Sequence, residues 1–348
     1  MTADAGTGEL NGRSLSGSPA EEFLLQVQEL RTHFHTPEGV VKAVDGVSFE
    51  VGRGEIIGLV GESGCGKSVT ALSILGLVPE PQGRLAGGRI WFDQVDLTTL
   101  DRRQMRAIRG NRIAMVFQEP MTSLNPVFTL GEQIAEIYME HYGLSRGEGL
   151  RKAKRMLERL GIPSPDRRIH EYPHHISGGM RQRVMIAMAL ACDPELIIAD
   201  EPTTALDVTV QAQIIAEMRE LQQSSKTSII LITHNLGIVA ETAERVIVMY
   251  AGKLVEESDV VPLFREPLHP YTSGLLASIP RPGLKTGDGR QRLPEIPGMV
   301  PPLNDLPDGC SFHPRCPRVR PVCRESEPAL VQIGPNRKAA CWAVSEGW

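Results

Sequence analysis

Residues 55–77 read EIIGLVGESGCGKSVTALSILGL, and the order of apolar run, glycine-rich turn and apolar-periodic segment decides the fold. The run from Ile56 to Val60 has the composition of a buried strand, and the segment from Val69 onward carries apolar residues at helical spacing. Between them Gly61-Glu62-Ser63-Gly64-Cys65-Gly66-Lys67-Ser68 follows the spacing of glycine, four residues, then Gly-Lys-Ser. A strand before and a helix after form the context in which that spacing makes a phosphate-binding loop. The glycines let the backbone turn its N–H groups into one concavity, and the helix that follows adds its positive end. Lys67 is expected to reach the outer phosphates and Ser68 to ligate Mg²⁺. By itself the loop implies only a nucleoside triphosphate.

Composition narrows the class. A chain of 348 residues with 41% hydrophobic residues has room for two domains and a substantial core. The formal charge of −5 gives no overall attraction to nucleic acid or anionic lipid. No run approaches the ~18 apolar residues needed to cross a bilayer. Residues 1–20 are rich in small and polar residues and lack the apolar centre of a secretion signal, so a disordered tail is expected there. A cytoplasmic chain follows, with its six cysteines reduced or bound to metal rather than paired.

Outward from the loop, two alternating runs, Leu24 to Phe34 and Val40 to Val51, flank Thr36-Pro37-Glu38-Gly39 and predict a β-hairpin. Pro79 to Gly88 reads as a broken loop, Arg89 to Phe92 as a strand, and Arg102 to Arg109 as a short solvated helix with no functional role. Ile113 to Phe117 is a buried strand that ends at Gln118, which therefore stands beside the nucleotide site of an open α/β sheet. Two amphipathic segments, around Ile134 to Tyr138 and Ala153 to Leu160, predict a helical subdomain over about residues 121–190. It closes on Ser177-Gly178-Gly179, a hydroxyl and bare amides at the start of a helix running through Val184 to Ala191. That is a second anion site. The first loop already wraps its own nucleotide, so the second serves a nucleotide held by another copy. Leu196 to Ala199 is an apolar strand ending in Asp200-Glu201, followed by Thr203-Thr204-Ala205-Leu206-Asp207, and the strand Ser228 to Thr233 ends at His234.

This order of phosphate loop, glutamine, Ser-Gly-Gly, Asp-Glu, Ala-Leu-Asp and histidine resembles the ATPase subunit of an ATP-binding cassette transporter over about residues 24–265. Met180 departs from the family's usual glutamine, although the peptide-importer branch is similar in having Met-Arg-Gln. The resemblance implies an α/β fold with a P-loop NTPase (RecA-like) core, an antiparallel β subdomain and the helical subdomain. It implies that ATP is bound by residues 61–68, Val69, and an aromatic near the hairpin bend that stacks on adenine. Phe34 and His35 both suit that role, and packing of Phe34 within the small sheet suits it equally. Mg²⁺ is expected on Ser68, Gln118 and Asp200, the attacking water on Glu201, and transition-state charge on Lys67 and His234. Two such chains are expected head to tail, each ATP lying between one phosphate loop and the other chain's Ser177, Gly178 and Gly179, with Asp207 crossing the interface. The implied partners are a second ATPase subunit, two integral-membrane permeases and an extracytoplasmic substrate-binding protein, with no nucleic acid. The implied location is the cytoplasmic face of the membrane.

Residues 266–348 change character, with many prolines and glycines and low helical potential. Glu266-Pro267-Leu268-His269-Pro270-Tyr271-Thr272 resembles the His-Pro-Tyr segment opening the C-terminal extension of oligopeptide and dipeptide importer ATPases. Small peptides are then the expected cargo, with nickel, glutathione, opines or sugars as alternatives, and a soluble cassette ATPase acting on DNA or ribosomes as the contrasting class. Cys310, Cys316, Cys323 and Cys341 fall in this loop-rich extension, where four thiolates are expected to hold metal as a staple. Their spacing lacks the close pairs common in zinc sites and suits a [4Fe–4S] cluster, which relatives with this pattern also carry; zinc or no metal are the alternatives. Cys65 and Cys192 are expected to be small buried residues.

Overall fold

The computed structural model describes residues 23–118, 123–202, 208–279 and 295–347. β1 (Phe23–Thr36) and β2 (Gly39–Gly52) form the expected hairpin, antiparallel from Phe23↔Gly52 to Thr36↔Gly39. β3 (Ile56–Val60) is buried along its whole length. It is followed by β4 (Gly83–Phe92), β5 (Val95–Asp96), β6 (Ile113–Val116), β7 (Leu196–Asp200), β8 (Ser228–Ile232), β9 (Arg245–Tyr250), β10 (Lys253–Asp259), β11 (Val331–Gly334) and β12 (Arg337–Ala339). Among the described residues these make two sheets, β2-β1-β4-β5 and β11-β12-β10-β9-β3-β8-β7-β6.

The order of the larger sheet positions the site. β9, β3, β8, β7 and β6 pair parallel, so their C-terminal ends emerge along one edge. Continuous apolar runs such as Ile197-Ile198-Ala199 and Ile229-Ile230-Leu231 suit strands covered on both faces. The phosphate loop leaves β3, Gln118 follows β6, Asp200 ends β7, and His234 follows β8. Four separated stretches of chain are brought to the crevice at the carboxyl end of an open sheet.

The helical insertion holds the helices Leu130–Tyr142, Arg146–Arg159 and Gly178–Leu190. Thr129 and Ser145 start the first two with capping boxes completed by Glu132 and Glu148. Ile134, Leu157 and Val184, one from each helix, share a buried cluster with Val116 and Ala199 of the sheet.

Two readings of the sequence require correction. Residues 83–88 belong to β4 rather than to a loop: Gly83 pairs with Phe34, and the strand shifts register across Gln28 to Arg31. Gly88 lies at φ 91, where a side chain's first carbon would stand 2.5 Å from the Glu29 carbonyl oxygen, so the glycine marks a bulge rather than a break. The basic run at 102–109 also does more than solvate a helix. After the helix Arg102–Ile108, Arg109 donates from Nε to the Leu75 carbonyl at 2.6 Å and from Nη2 to that of Gly76 at 2.7 Å, closing the end of the helix that follows the phosphate loop.

The C-terminal extension is more regular than its composition suggests. The helix Pro270–Ala277 packs on the core through Tyr271, and β12 joins β10 through Glu256↔Ala339 and Ser258↔Arg337. Strands of three and four residues are too short to show a period in sequence.

Candidate active site

The phosphate loop is built as its glycines require. At Gly61 (φ 152) a side chain's first carbon would lie 2.3 Å from the Met249 carbonyl oxygen, and at Gly66 (φ 106) 2.4 Å from that of Ala43. Both positions therefore exclude any side chain. Ser63 and Gly64 form the exposed rim, and Ser68 and Val69 are half-buried in the first turn of the helix Lys67–Ile74. Lys67 is buried, and its Nζ donates to the carbonyls of Gly61 at 2.8 Å and Glu62 at 2.9 Å. Cys65 packs inside the loop as a small apolar residue, its thiol pushed up by burial.

Asp200 and Glu201 diverge at the end of β7. Asp200 is 4% exposed, and burial pushes its carboxyl up, countered in part by the Ser68 hydroxyl beside it. Its Oδ1 is buried without a hydrogen-bond partner. A buried carboxylate with an orphaned oxygen next to a serine hydroxyl is the donor set a hard divalent cation takes, so the residues fit Mg²⁺. Glu201 adopts a left-handed backbone (φ 45), a conformation costing a non-glycine residue roughly 1–2 kcal/mol. Its N–H donates to the Ile232 carbonyl at 2.8 Å. Its carboxylate turns away from Asp200, accepting from Gln118 Nε2 at 3.2 Å while His234 Nδ1 lies 3.2 Å from the other oxygen. The three residues expected at the chemistry thus meet at one carboxylate. Asn235, not His234, caps the helix Leu236–Thr242 through its own side chain.

Ser177 begins the helix Gly178–Leu190 as its N-cap, accepting from the Met180 N–H at 3.3 Å. Ser177 and Gly178 face solvent, so the second anion site opens outward, available to another molecule. Gln182 of the same helix is buried and donates to the Pro202 carbonyl at 2.7 Å, tying that helix to the residue after Glu201. The sequence carries no signal for this link. Asp207 lies outside the described residues. Phe34, near the end of β1, is half-buried with its ring over Gly83, where a side chain's first carbon would stand 2.7 Å from it, while His35 is exposed.

Residues 44–204 match the ABC transporter family and residues 255–323 the oligopeptide/dipeptide transporter C-terminal region. The oligopeptide transport ATP-binding protein AppD of Bacillus subtilis is 49% identical over 93% of this chain and 97% of its own length. The dipeptide transport ATP-binding protein DppD of Haemophilus influenzae is 50% identical over 91% and 94%. The chain belongs to the ABC transporter family. It is an ATPase of the ABC type. Among solved structures, the ATP-binding cassette MJ0796, a dimer in a post-hydrolysis state bound to ADP and Pi, is similar with a TM-score of 0.62 at 26% identity, covering 68% of this chain and 98% of that one.

In this ABC ATPase the His-Pro-Tyr segment is the start of a helix. His269 is the N-cap of Pro270–Ala277, its Nδ1 accepting from the Tyr271 N–H at 3.0 Å, and Pro270 takes the first turn, where no N–H is needed. Burial of its ring pushes the His269 pKa down to about 3, so it is held neutral. The buried Glu256 carboxylate accepts from the N–H groups of Leu268 at 2.8 Å and His269 at 2.9 Å.

The arrangement of the described residues does not support the expected metal-holding cysteine site. Cys310, Cys316, Cys323 and Cys341 do line one cavity, of about 20 Å³. Yet among the described residues no group of three or more His, Cys, Asp or Glu is arranged to hold a metal ion. As packed, the cavity has room for little more than one water-sized sphere. Burial pushes the Cys310 thiol up to about 11 and those of Cys316 and Cys341 upward as well, which favours neutral thiols in this packing.

Proposed function

We propose that this ABC ATPase powers the import of di- or oligopeptides through membrane permease subunits. The catalytic half rests on one observation: Gln118 and His234 converge on the Glu201 carboxylate, and the preceding residue, Asp200, carries a buried oxygen without a hydrogen-bond partner. In this reading Lys67 and the amides of residues 61–68 bind the β- and γ-phosphates, and Ser68 and Asp200 hold Mg²⁺, which neutralises phosphate charge when bound. Glu201 orients and polarises the attacking water, with Gln118 and His234 fixing its carboxylate. The exposed Ser177 and Gly178, with the half-buried Gly179, complete the pocket of a second ATPase subunit, and Asp207 is assigned to the same interface.

Peptide cargo is supported by AppD and DppD, whose names give oligopeptide and dipeptide transport, and by the match of the C-terminal region. No helix among the described residues is long and apolar enough to cross a membrane, so transport requires spanning partners. Their contact is supported by an apolar groove of about 210 Å³ that includes Leu77, Phe117, Ile137, Met185 and Met188, next to Gln118. We assign the chain to the cytoplasmic face of the membrane, with two permeases and an extracytoplasmic binding protein. Capture of the tagged chain from detergent-solubilised membranes tests this. Polytopic membrane proteins are expected in the captured complex, and nucleic acid or ribosomes in their place would contradict it.

A second, narrower proposal is a [4Fe–4S] cluster on Cys310, Cys316, Cys323 and Cys341. Its support is convergence of the four cysteines and the backbone N–H groups that meet their sulfurs two residues on, Phe312 at Cys310, Arg318 at Cys316 and Ala343 at Cys341. Such contacts steady thiolate ligands. Anaerobic purification with iron and sulfide analysis is the test: a brown, iron-loaded chain is expected, and a colourless, iron-free one removes the cluster.

A further inference from the structure

Arg315 belongs to the three-residue turn His313–Arg315 in the C-terminal extension, and its side chain is only 4% exposed. Its guanidinium spends every donor. Nε donates to the Pro297 carbonyl at 3.0 Å, Nη1 to Glu62 Oε2 at 2.7 Å and the Tyr250 hydroxyl at 3.5 Å, and Nη2 to Glu62 Oε1 at 3.0 Å and the Ile296 carbonyl at 3.4 Å. Five N–H groups with five acceptors leave the guanidinium no other orientation. The paired contact with Glu62 is the bidentate form, the most directional one available to a carboxylate.

Glu62 is the second residue of the phosphate loop. Its N–H donates to the Tyr271 hydroxyl at 2.7 Å, and its carbonyl accepts from Lys67 Nζ at 2.9 Å. The extension therefore holds Glu62 by carboxylate and amide, and the lysine of the loop holds it by the carbonyl. Without a counter-charge, a carboxylate in this loop would repel the triphosphate bound beside it.

We propose that Arg315 and Tyr271 are positioning residues for ATP: acting through Glu62, they set the shape and charge of the phosphate loop, which makes the C-terminal extension a working part of the nucleotide site. The proposal rests on the ATPase assignment. It assigns the extension a role inside its own chain, independent of cargo, permeases or any metal at the cysteines. An extension that merely folds onto the core needs an acceptor anywhere on it; Arg315 takes Glu62, between Gly61 and Ser63 in the phosphate loop, and the Glu62 carbonyl also directs Lys67.

The test is mant-ATP titration and steady-state ATPase kinetics on the full-length chain. Arg315→Gln is expected to raise the mant-ATP Kd and the ATP KM by about tenfold, the scale of one lost charge-assisted contact, with kcat changed much less. Glu62→Gln is expected to raise both severalfold, and the double variant to bind no worse than Arg315→Gln alone, because neutral Glu62 removes the exposed charge. A purely structural role would lower the active fraction and leave Kd and KM in place. Should Arg315→Gln fail to fold, Glu62→Gln and Tyr271→Phe decide the matter, each with a raised Kd. Unchanged Kd and KM in the single variants, or strictly additive effects in the double, would overturn the proposal. A wild-type chain that bound no mant-ATP would overturn the ATPase assignment and this proposal together, an outcome distinct from unchanged affinity in the variants.

Discussion

Gln118 and Glu201 stand 83 residues apart in the chain, and the Gln118 amide nitrogen lies 3.2 Å from a Glu201 carboxylate oxygen. The contact exists because β6 and β7 are parallel neighbours, so residues that follow one strand and terminate the other meet at the same edge. The left-handed backbone at Glu201 then turns its side chain toward Gln118 and His234, leaving Asp200 to face Ser68. A carboxylate held on both oxygens is oriented before substrate arrives, which is where catalysis by positioning gains its advantage.

Gln118→Ala removes one group that orients Glu201 and leaves the phosphate loop intact. Turnover at saturating ATP is expected to fall roughly 10- to 100-fold, with mant-ATP affinity unchanged. A loss of affinity with full turnover would show that Gln118 serves binding instead.

Gly66→Ala places a methyl 2.4 Å from the Ala43 carbonyl oxygen at a φ of 106. The loop has to move, so mant-ATP binding is expected to be lost, together with more than about 1 kcal/mol of stability. Wild-type affinity in this variant, read by titration, would show that the loop relaxes freely.

The edge of the sheet was legible in sequence because each motif is local. Lys67 and Ser68 follow a strand, Asp200-Glu201 ends one, and His234 follows another, so strand-end placement could be read without knowing strand order. What could not be read depends on long-range pairing. Nothing near Arg315 marks it as the partner of Glu62, 253 residues away, and Arg109 looks like any surface arginine until its bonds to Leu75 and Gly76 are seen. Gly83 to Gly88 read as a break because glycine hides strand propensity, whereas β1 supplies the pairing that makes it a strand. The cysteines converge as their shared segment suggested, but whether thiols take metal is set by cavity size and ionisation, neither of which spacing reports.

Arg245 joins the sheet to the β subdomain. Its guanidinium contacts Glu55 at 2.9 and 3.1 Å, the Glu50 carbonyl at 2.7 Å, and Glu257, whose side chain is only 5% exposed. Arg245→Met leaves Glu257 with Lys338 alone and Glu55 with only the Gly52 N–H, and is expected to cost about 3 kcal/mol in urea unfolding. A change under about 1 kcal/mol, the scale of a surface pair, would place the network among solvent-screened contacts.

His269 sets a pH dependence. Its folded pKa is about 3 against an unfolded value near ~6.5, so between those values the unfolded chain binds the extra proton. Stability is full above about pH 6.5 and falls by about 1.4 kcal/mol for each unit of acidification below it, until the folded pKa is reached. His269→Asn keeps an N-cap acceptor and removes the titration. Between pH 7 and pH 5 the wild type is expected to lose about 2 kcal/mol more than the variant in urea unfolding, and equal losses would assign the pH dependence elsewhere.

In the proposed function one chain supplies two half-sites, each completed by a second subunit, with Glu201 driving hydrolysis. Light scattering of Glu201→Gln with Mg²⁺ and ATP tests it most directly. The expected result is an ATP-dependent dimer that hydrolyses ATP at roughly 10⁻² to 10⁻⁴ of the wild-type rate and reverts to monomer when Ser177→Arg is added. A Glu201→Gln chain that stays monomeric at saturating ATP and turns over at the wild-type rate would contradict it.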